Sequence, residues 1–255
     1  MGAGHPDHLY VEGSSPIHRL PAECKVAATV LFVLGVVATP REAFWAFGVH
    51  AAVLAVAAGV ARLRPWLVAR RLTIELPFVA FALALPFLAG GDRVDVGPVA
   101  VSGDGLWGAW NILVKATLGV GASVVLTATT TVPELVRGLE RLRLPAPLLA
   151  ILTFMVRYVA VIHGEMQRMA IARVSRGDDP RWLWQARATA RTAGTLFVRA
   201  YERGERVHLA MLARGYAGAM PRLHEGRARR VDWAVAALAP AVAFVVASSA
   251  WAVRA

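Results

Sequence analysis

The chain has 255 residues, 57% of them hydrophobic, and a formal net charge of +11. That combination excludes an ordinary soluble domain and a disordered chain, and suits a membrane protein with a basic, water-facing part. A single cysteine, Cys24, excludes an intrachain disulfide framework and a thiolate zinc site and reads as a small packed hydrophobe.

Residues 1–24 are polar, lack a continuous apolar core, and read as a cytoplasmic N-terminal segment rather than a cleavable signal. His5, Asp7 and His8 stand close together there, but a polar terminus supplies no outer shell to fix a metal, and no metal site is expected. Residues 25–130 supply four apolar stretches as candidate transmembrane helices, at 25–39, 43–61, 72–90 and 106–130. Pro77 and Pro86, like Pro240 later, read as kinks that neighbouring helices tolerate. Glu75 and Lys115 fall inside predicted spans, which makes them functional candidates by default. They lie toward opposite ends and are not expected to pair; ordinary solvation of Glu75 and snorkelling of Lys115 are the preferred readings. Gly119 and Ser123 have the spacing of a close helix contact.

The connection at 62–71 carries Arg62, Arg64, Arg70 and Arg71, whereas 91–105 has one Arg against three Asp. Arginine placement therefore predicts the first connection and the N-terminus inside, the second outside. Residues 131–230 hold eighteen Arg against eight Asp or Glu, and are too long and regular for a plain loop. Three helices are expected, over 132–144, 145–177 and 180–215. The first places Leu135, Leu139 and Leu142 on one stripe, as an interface-lying helix does. The two others are long and arginine-rich. Residues 231–255 form a C-terminal transmembrane helix. The expected fold is an all-α membrane protein of about five transmembrane helices plus a cytoplasmic domain of one short amphipathic and two long helices, multi-pass in the inner (cytoplasmic) membrane.

Both long helices end alike. Ser175, Arg176 and Gly177 close the first; Ala213, Arg214 and Gly215 close the second; and Arg168 and Ala172 are matched by Arg206 and Ala210. One such end is ordinary capping, since Gly supplies the left-handed residue and a cation suits the negative end of the dipole. Two copies with matching lead-ins point to a shared task. A small neighbour leaves the guanidinium uncrowded, Gly admits a partner backbone, and Arg offers a planar fork to a carboxylate. No nucleic-acid motif accompanies the positive charge, which lies between apolar spans and next to anionic lipid or an acidic partner. No nucleic-acid partner is expected. No phosphate-binding Gly-rich loop, nucleophile elbow or zinc-protease pair occurs, so catalysis by this chain is not expected.

Several short spans, a basic helical region with two Arg-Gly endings and a final span resemble the transmembrane T component of energy-coupling-factor importers. The stretch "SPIHRLPAECKVAATVLFVLGVVATPREAFWAF" near the start is similar to its cobalt-type, CbiQ-like members. The resemblance implies that 131–230 is a coupling domain and that Arg176 and Arg214 each dock on one subunit of an ABC-type ATPase pair. The first motif departs from the family pattern by Ser175 in place of Ala. The resemblance further implies no cofactor on this chain, ATP and Mg on the partner ATPase, and Co(2+) or Ni(2+) as cargo on a separate CbiM-like substrate-binding membrane subunit. A small CbiN-like accessory membrane subunit can accompany it. Cobalt is preferred, nickel stands close behind, and an organic vitamin comes third. Leu148, Leu152, Met155, Leu196, Val207 and Leu209 are candidate contact surface for the substrate subunit, packing within the chain being the other reading for each. The competing function is a membrane scaffold or receptor whose basic region binds anionic lipid.

Overall fold

The computed structural model describes residues 9–90, 93–96, 99–177, 186–218 and 228–254. Its helices are α1 (Pro16–Arg19), α2 (Ala22–Ala38), α3 (Phe44–Val60), α4 (Pro65–Leu72), α5 (Leu76–Leu88), α6 (Gly103–Thr129), α7 (Val132–Arg141), α8 (Ala146–Val174), α9 (Ala186–Ala213) and α10 (Arg230–Arg254), with a 3-10 turn at Thr73–Glu75 between α4 and α5. The chain is an all-α membrane protein. Among the described residues one short antiparallel hairpin, β1 (Arg93–Val96) against β2 (Val99–Ser102), departs from that rule. The chain divides into two compact units, one built from Leu9–Gly138 and Arg227–Ala255, the other containing Leu139–Gly226.

In the first unit, α2 and α3 have 17 residues each, about 25 Å at 1.5 Å per residue, the lower limit for crossing a bilayer. Pro65–Leu88, Gly103–Thr129 and Arg230–Arg254 are long and apolar enough to cross; so is Ala146–Val174, which falls in the region expected to be cytoplasmic. The turns between these helices are set by Arg62 and by prolines. The connection 62–71 is mostly helix, because Arg62 turns the chain at φ 56° and Pro65 starts α4 in a position that needs no N–H. Pro77 likewise sits in the first turn of α5 and is no kink, whereas Pro86 and Pro240 lie inside helices.

Phe32, Phe47 and Leu118 centre the core of the bundle, small residues fill many of its other inward positions, and α5 turns its large residues outward. Cys24, Val36, Ala82, Ala128 and Ala243 are buried, while Phe78, Phe81, Leu83, Phe87 and Leu88 of α5 are exposed. Lipid rewards no burial of apolar bulk, so close backbone approach decides which residues face in. A Cβ on Gly35 would stand 2.8 Å from the Cβ of Ala243, and one on Gly121 2.6 Å from Leu54 Cδ2. The close contacts of α6 therefore run through Gly121 and Ala122. Gly119 has open space where a Cβ would go, and Ser123 turns its hydroxyl back to the Gly119 carbonyl, so the predicted close contact at that pair does not form.

Ionisable groups in this unit are held by specific partners. Lys25 Nζ donates to the Thr129 carbonyl at the end of α6, and Lys115 Nζ donates to the Val37 carbonyl at the end of α2, both at 2.8 Å. The two helices run antiparallel, and each lysine caps the negative end of the other. Trp251 Nε1 adds a bond to the Ala38 carbonyl, and the Ala228 N–H donates to Glu23 Oε1, so α10 runs parallel to α2. Glu75 is buried rather than solvated, one carboxylate oxygen accepting from Thr117 Oγ1 at 2.9 Å. It could not remain in water because α5 and α6 pack closely along their length. His50 is fully buried between Phe32 and Phe47, its Nε2 3.0 Å from Thr39 Oγ1.

Candidate functional site

The second unit is carried by α8 and α9, of 29 and 28 residues, each a little over 40 Å long. Pro145 and Pro147 open α8, where the missing N–H groups cost nothing. Its first half is apolar, its second half charged. The described helix α9 begins at Ala186, so residues 180–185 of the expected helix lie outside the described residues.

The two C-termini are built alike. At the end of α8 the Arg176 N–H donates to the Arg173 carbonyl and Gly177 to Val174, both at 3.0 Å; at the end of α9 Arg214 donates to Met211 and Gly215 to Leu212, also at 3.0 Å. Gly177 has φ +80° and Gly215 φ +81°, the left-handed conformation that ends helices and that only Gly adopts without strain. Tyr216 adds a further bond to the Met211 carbonyl. A Cβ at either glycine would meet nothing within 4 Å, so backbone geometry rather than crowding demands Gly in the free chain.

Ser175, Arg176, Gly177, Ala213, Arg214 and Gly215 are all exposed. Neither guanidinium has an ion-pair partner among the described residues. Ser175 Oγ donates to the Ala172 carbonyl at 3.0 Å, so the hydroxyl that distinguishes the first motif is folded onto its own helix. Arg168, Ala172 and Ala210 are exposed. Arg206 lies 4.0 Å from Glu202, both side chains more than half exposed, a pair that contributes little in water.

One contact between the helices lay outside the expectations. Arg203 Nη2 donates to Glu165 Oε1, joining α9 to α8. The Arg203 hydrogen bond and charge, with Arg168 and Arg199 nearby, hold the Glu165 carboxyl below its ordinary range. Around this pair the half-buried residues of α9 form one stripe, Thr192, Leu196, Ala200, Arg203, Val207 and Met211. Those of α8 include Phe154, Tyr158, Ile162, Glu165, Met169 and Arg173, with Gly164, Ala170 and several residues before Tyr158 half-buried as well. Leu196 and Val207 thus belong to the stripe that carries Arg203 toward α8. Leu148, Met155 and Leu209 stay exposed, and Leu152 is half-buried. The spacing of 38 residues between the two motifs was the signal that could have found the pair, because Glu165 and Arg203 also stand 38 apart. His5, Asp7 and His8 lie outside the described residues.

The chain matches the family model described as cobalt transport protein CbiQ over residues 13–225. It is 31% identical over 237 residues to an energy-coupling factor transporter transmembrane protein EcfT of Thermanaerovibrio acidaminovorans, covering 88% of this chain and 86% of the relative. It is 30% identical over 157 residues to cobalt transport protein CbiQ of Rhodobacter capsulatus, covering 58% and 63% of the two chains. A putative fused cobalt transport protein CbiMQ of Methanocorpusculum labreanum matches at 27% over 169 residues, 63% of this chain and 28% of that one. The family match spans four of the expected transmembrane segments and both Arg-Gly ends, and the chain belongs to the CbiQ family of energy-coupling factor transporter transmembrane components.

Proposed function

We propose that this chain is the lever of an ATP-driven importer, with Arg176 and Arg214 each seated on one subunit of an ABC-type ATPase pair. The observation that carries the reading is the matched pair of exposed, glycine-closed helix ends, each with its guanidinium free among the described residues. Closure of the ATPase pair on ATP would displace both ends, and α8 and α9 would pass that displacement to a substrate-binding membrane subunit. ATP and Mg belong to the partner, and nothing in this chain's sequence provides a phosphate loop. The N-terminus and the coupling domain, residues 131–230, face the cytoplasm, a reading the arginine distribution supports, and the membrane is the inner membrane.

The cargo is cobalt in preference to nickel, delivered by a CbiM-like subunit. The names of the CbiQ and fused CbiMQ relatives support both choices. Charge reversal tests the docking. Arg176→Glu or Arg214→Glu, each in the full complex, leaves an acidic partner group facing a like charge, a loss of about 3–5 kcal/mol once the pair is buried. Co-purification of the ATPase and metal uptake are both expected to fail while membrane insertion persists. Retention of ATPase and uptake in both variants, with loss of membrane behaviour only on neutralising many other arginines, would instead establish the lipid-binding scaffold.

A further inference from the structure

The two motifs belong to a longer internal repeat. With an offset of 38, Arg168 matches Arg206, Ala172 matches Ala210, and Arg176-Gly177 matches Arg214-Gly215. From residue 190 on, every half-buried residue of α9 has a half-buried counterpart on α8 at the same offset, Phe154 with Thr192, Ile162 with Ala200, Met169 with Val207 and Arg173 with Met211. Helix α8 also half-buries Gly164 and Ala170, whose counterparts Glu202 and His208 are exposed. Equivalent faces of the two copies are therefore turned inward, the arrangement of a local two-fold axis. Where such an axis crosses the helix pair, a residue meets its own equivalent. Glu165 meets Arg203, and these two are equivalents.

We propose that Glu165 and Arg203 form the pivot on which α8 and α9 cross, an ion pair between equivalent positions that sets equal arms to the two Arg-Gly ends. Arg176 follows Glu165 by eleven residues and Arg214 follows Arg203 by eleven, about 16 Å of helix on each side. Equal arms turn a change of crossing angle into equal and opposite displacements of the tips. The form of the contact suits rotation, because one hydrogen bond joins the side chains while Glu165 Oε2 and Arg203 Nη1 are buried with no hydrogen-bond partner. A bidentate fork would clamp the angle; a single bond fixes the crossing point and leaves the angle free. Both side chains are positioning residues, placing Arg176 and Arg214 without touching any partner themselves.

This inference deepens the coupling function and rests on it only for its consequence in transport; the geometry is testable in the isolated chain. Spin labels on cysteines replacing Ile171 and Leu209, exposed equivalents near the two ends, report the tip separation in lipid nanodiscs, and a second label pair at Leu148 and Met155, both exposed on α8, reports whether that helix is intact. The expected result is one narrow distance for the parent chain. Glu165→Gln and Arg203→Gln each broaden it, while the α8 pair is unchanged. In the assembled transporter the same two variants keep their ATPase, since the ends are intact, and lose uptake. The reversed pair E165R/R203E narrows the distribution again, though only in part, because Arg168 and Arg199 flank the Glu165 position. An unchanged distance in both single variants overturns the pivot. Should the distance respond while Arg176→Glu and Arg214→Glu leave the ATPase bound, the pivot stands and the docking function falls.

Discussion

Gly177 and Gly215 hold φ near +80° at exposed helix ends, so a side chain there meets backbone strain without meeting a neighbour. Ala in the left-handed region costs about 1–2 kcal/mol, and a helix end can escape that cost by unwinding its last turn. Arg214 belongs to that turn. Gly215→Ala is therefore expected to weaken binding of the ATPase roughly tenfold, as a cost of this size implies, while the thermal stability of the isolated chain stays unchanged. A binding titration alongside a melting curve checks both halves, and a fall in melting temperature without a change in binding contradicts the argument. These residues were legible as sequence because the repeat spells them with nearly the same letters. Glu165 and Arg203 were not, for a physical reason: two equivalent positions that meet across an axis cannot carry the same charge, so the contact that centres the repeat appears in the sequence as a mismatch. Glu75 was misread on different grounds. Hydropathy along the chain gives depth in the membrane but not angle around the helix, and its partner Thr117 lies 42 residues on.

At the scale of elements, the bundle is tied together by contacts that hydropathy does not register. Lys25 and Lys115 each donate to the last carbonyls of the opposing helix, satisfying an ammonium and a helix end at once, which is how two lysines come to lie within apolar stretches. Three of the expected spans are helices long and apolar enough to cross, and these were readable because crossing a bilayer demands length and composition alone. Helix α8, also long and apolar enough, reads as cytoplasmic from its arginines. The faces the spans turn to one another were not readable, because small residues are common on every face and only the assembled pair shows which approach closely. Gly35 approaches Ala243 closely between α2 and α10, and this contact joins the first predicted span to the last. Gly35→Ala places a methyl 2.8 Å from the Ala243 methyl, an overpacking expected to cost about 1–3 kcal/mol and to lower the melting temperature of the detergent-solubilised chain. Adding Ala243→Gly restores the space and is expected to recover most of the loss. A double variant no more stable than Gly35→Ala would place the strain elsewhere.

For the molecule as a whole, what matters is that the two proposed docking ends belong to one helix pair. Once one end is seated on a two-subunit partner, the other is held nearby at high effective concentration, a gain of roughly 10²–10⁴ over either contact alone. The proposed partner is also a pair whose subunits would close on each other, so each bound subunit would help to retain its mate. Losing one arginine therefore removes more than half of the attachment. Particles carrying Arg176→Glu are expected to lose both ATPase subunits together, and those carrying Arg214→Glu the same, with the double variant no worse than either. Native mass measurement of the purified particles distinguishes this from independent docking, which leaves one ATPase subunit on each single variant and none on the double. A stable particle with a single ATPase would mean that the two ends act as separate anchors, and the equal arms of α8 and α9 would then have no concerted motion to transmit.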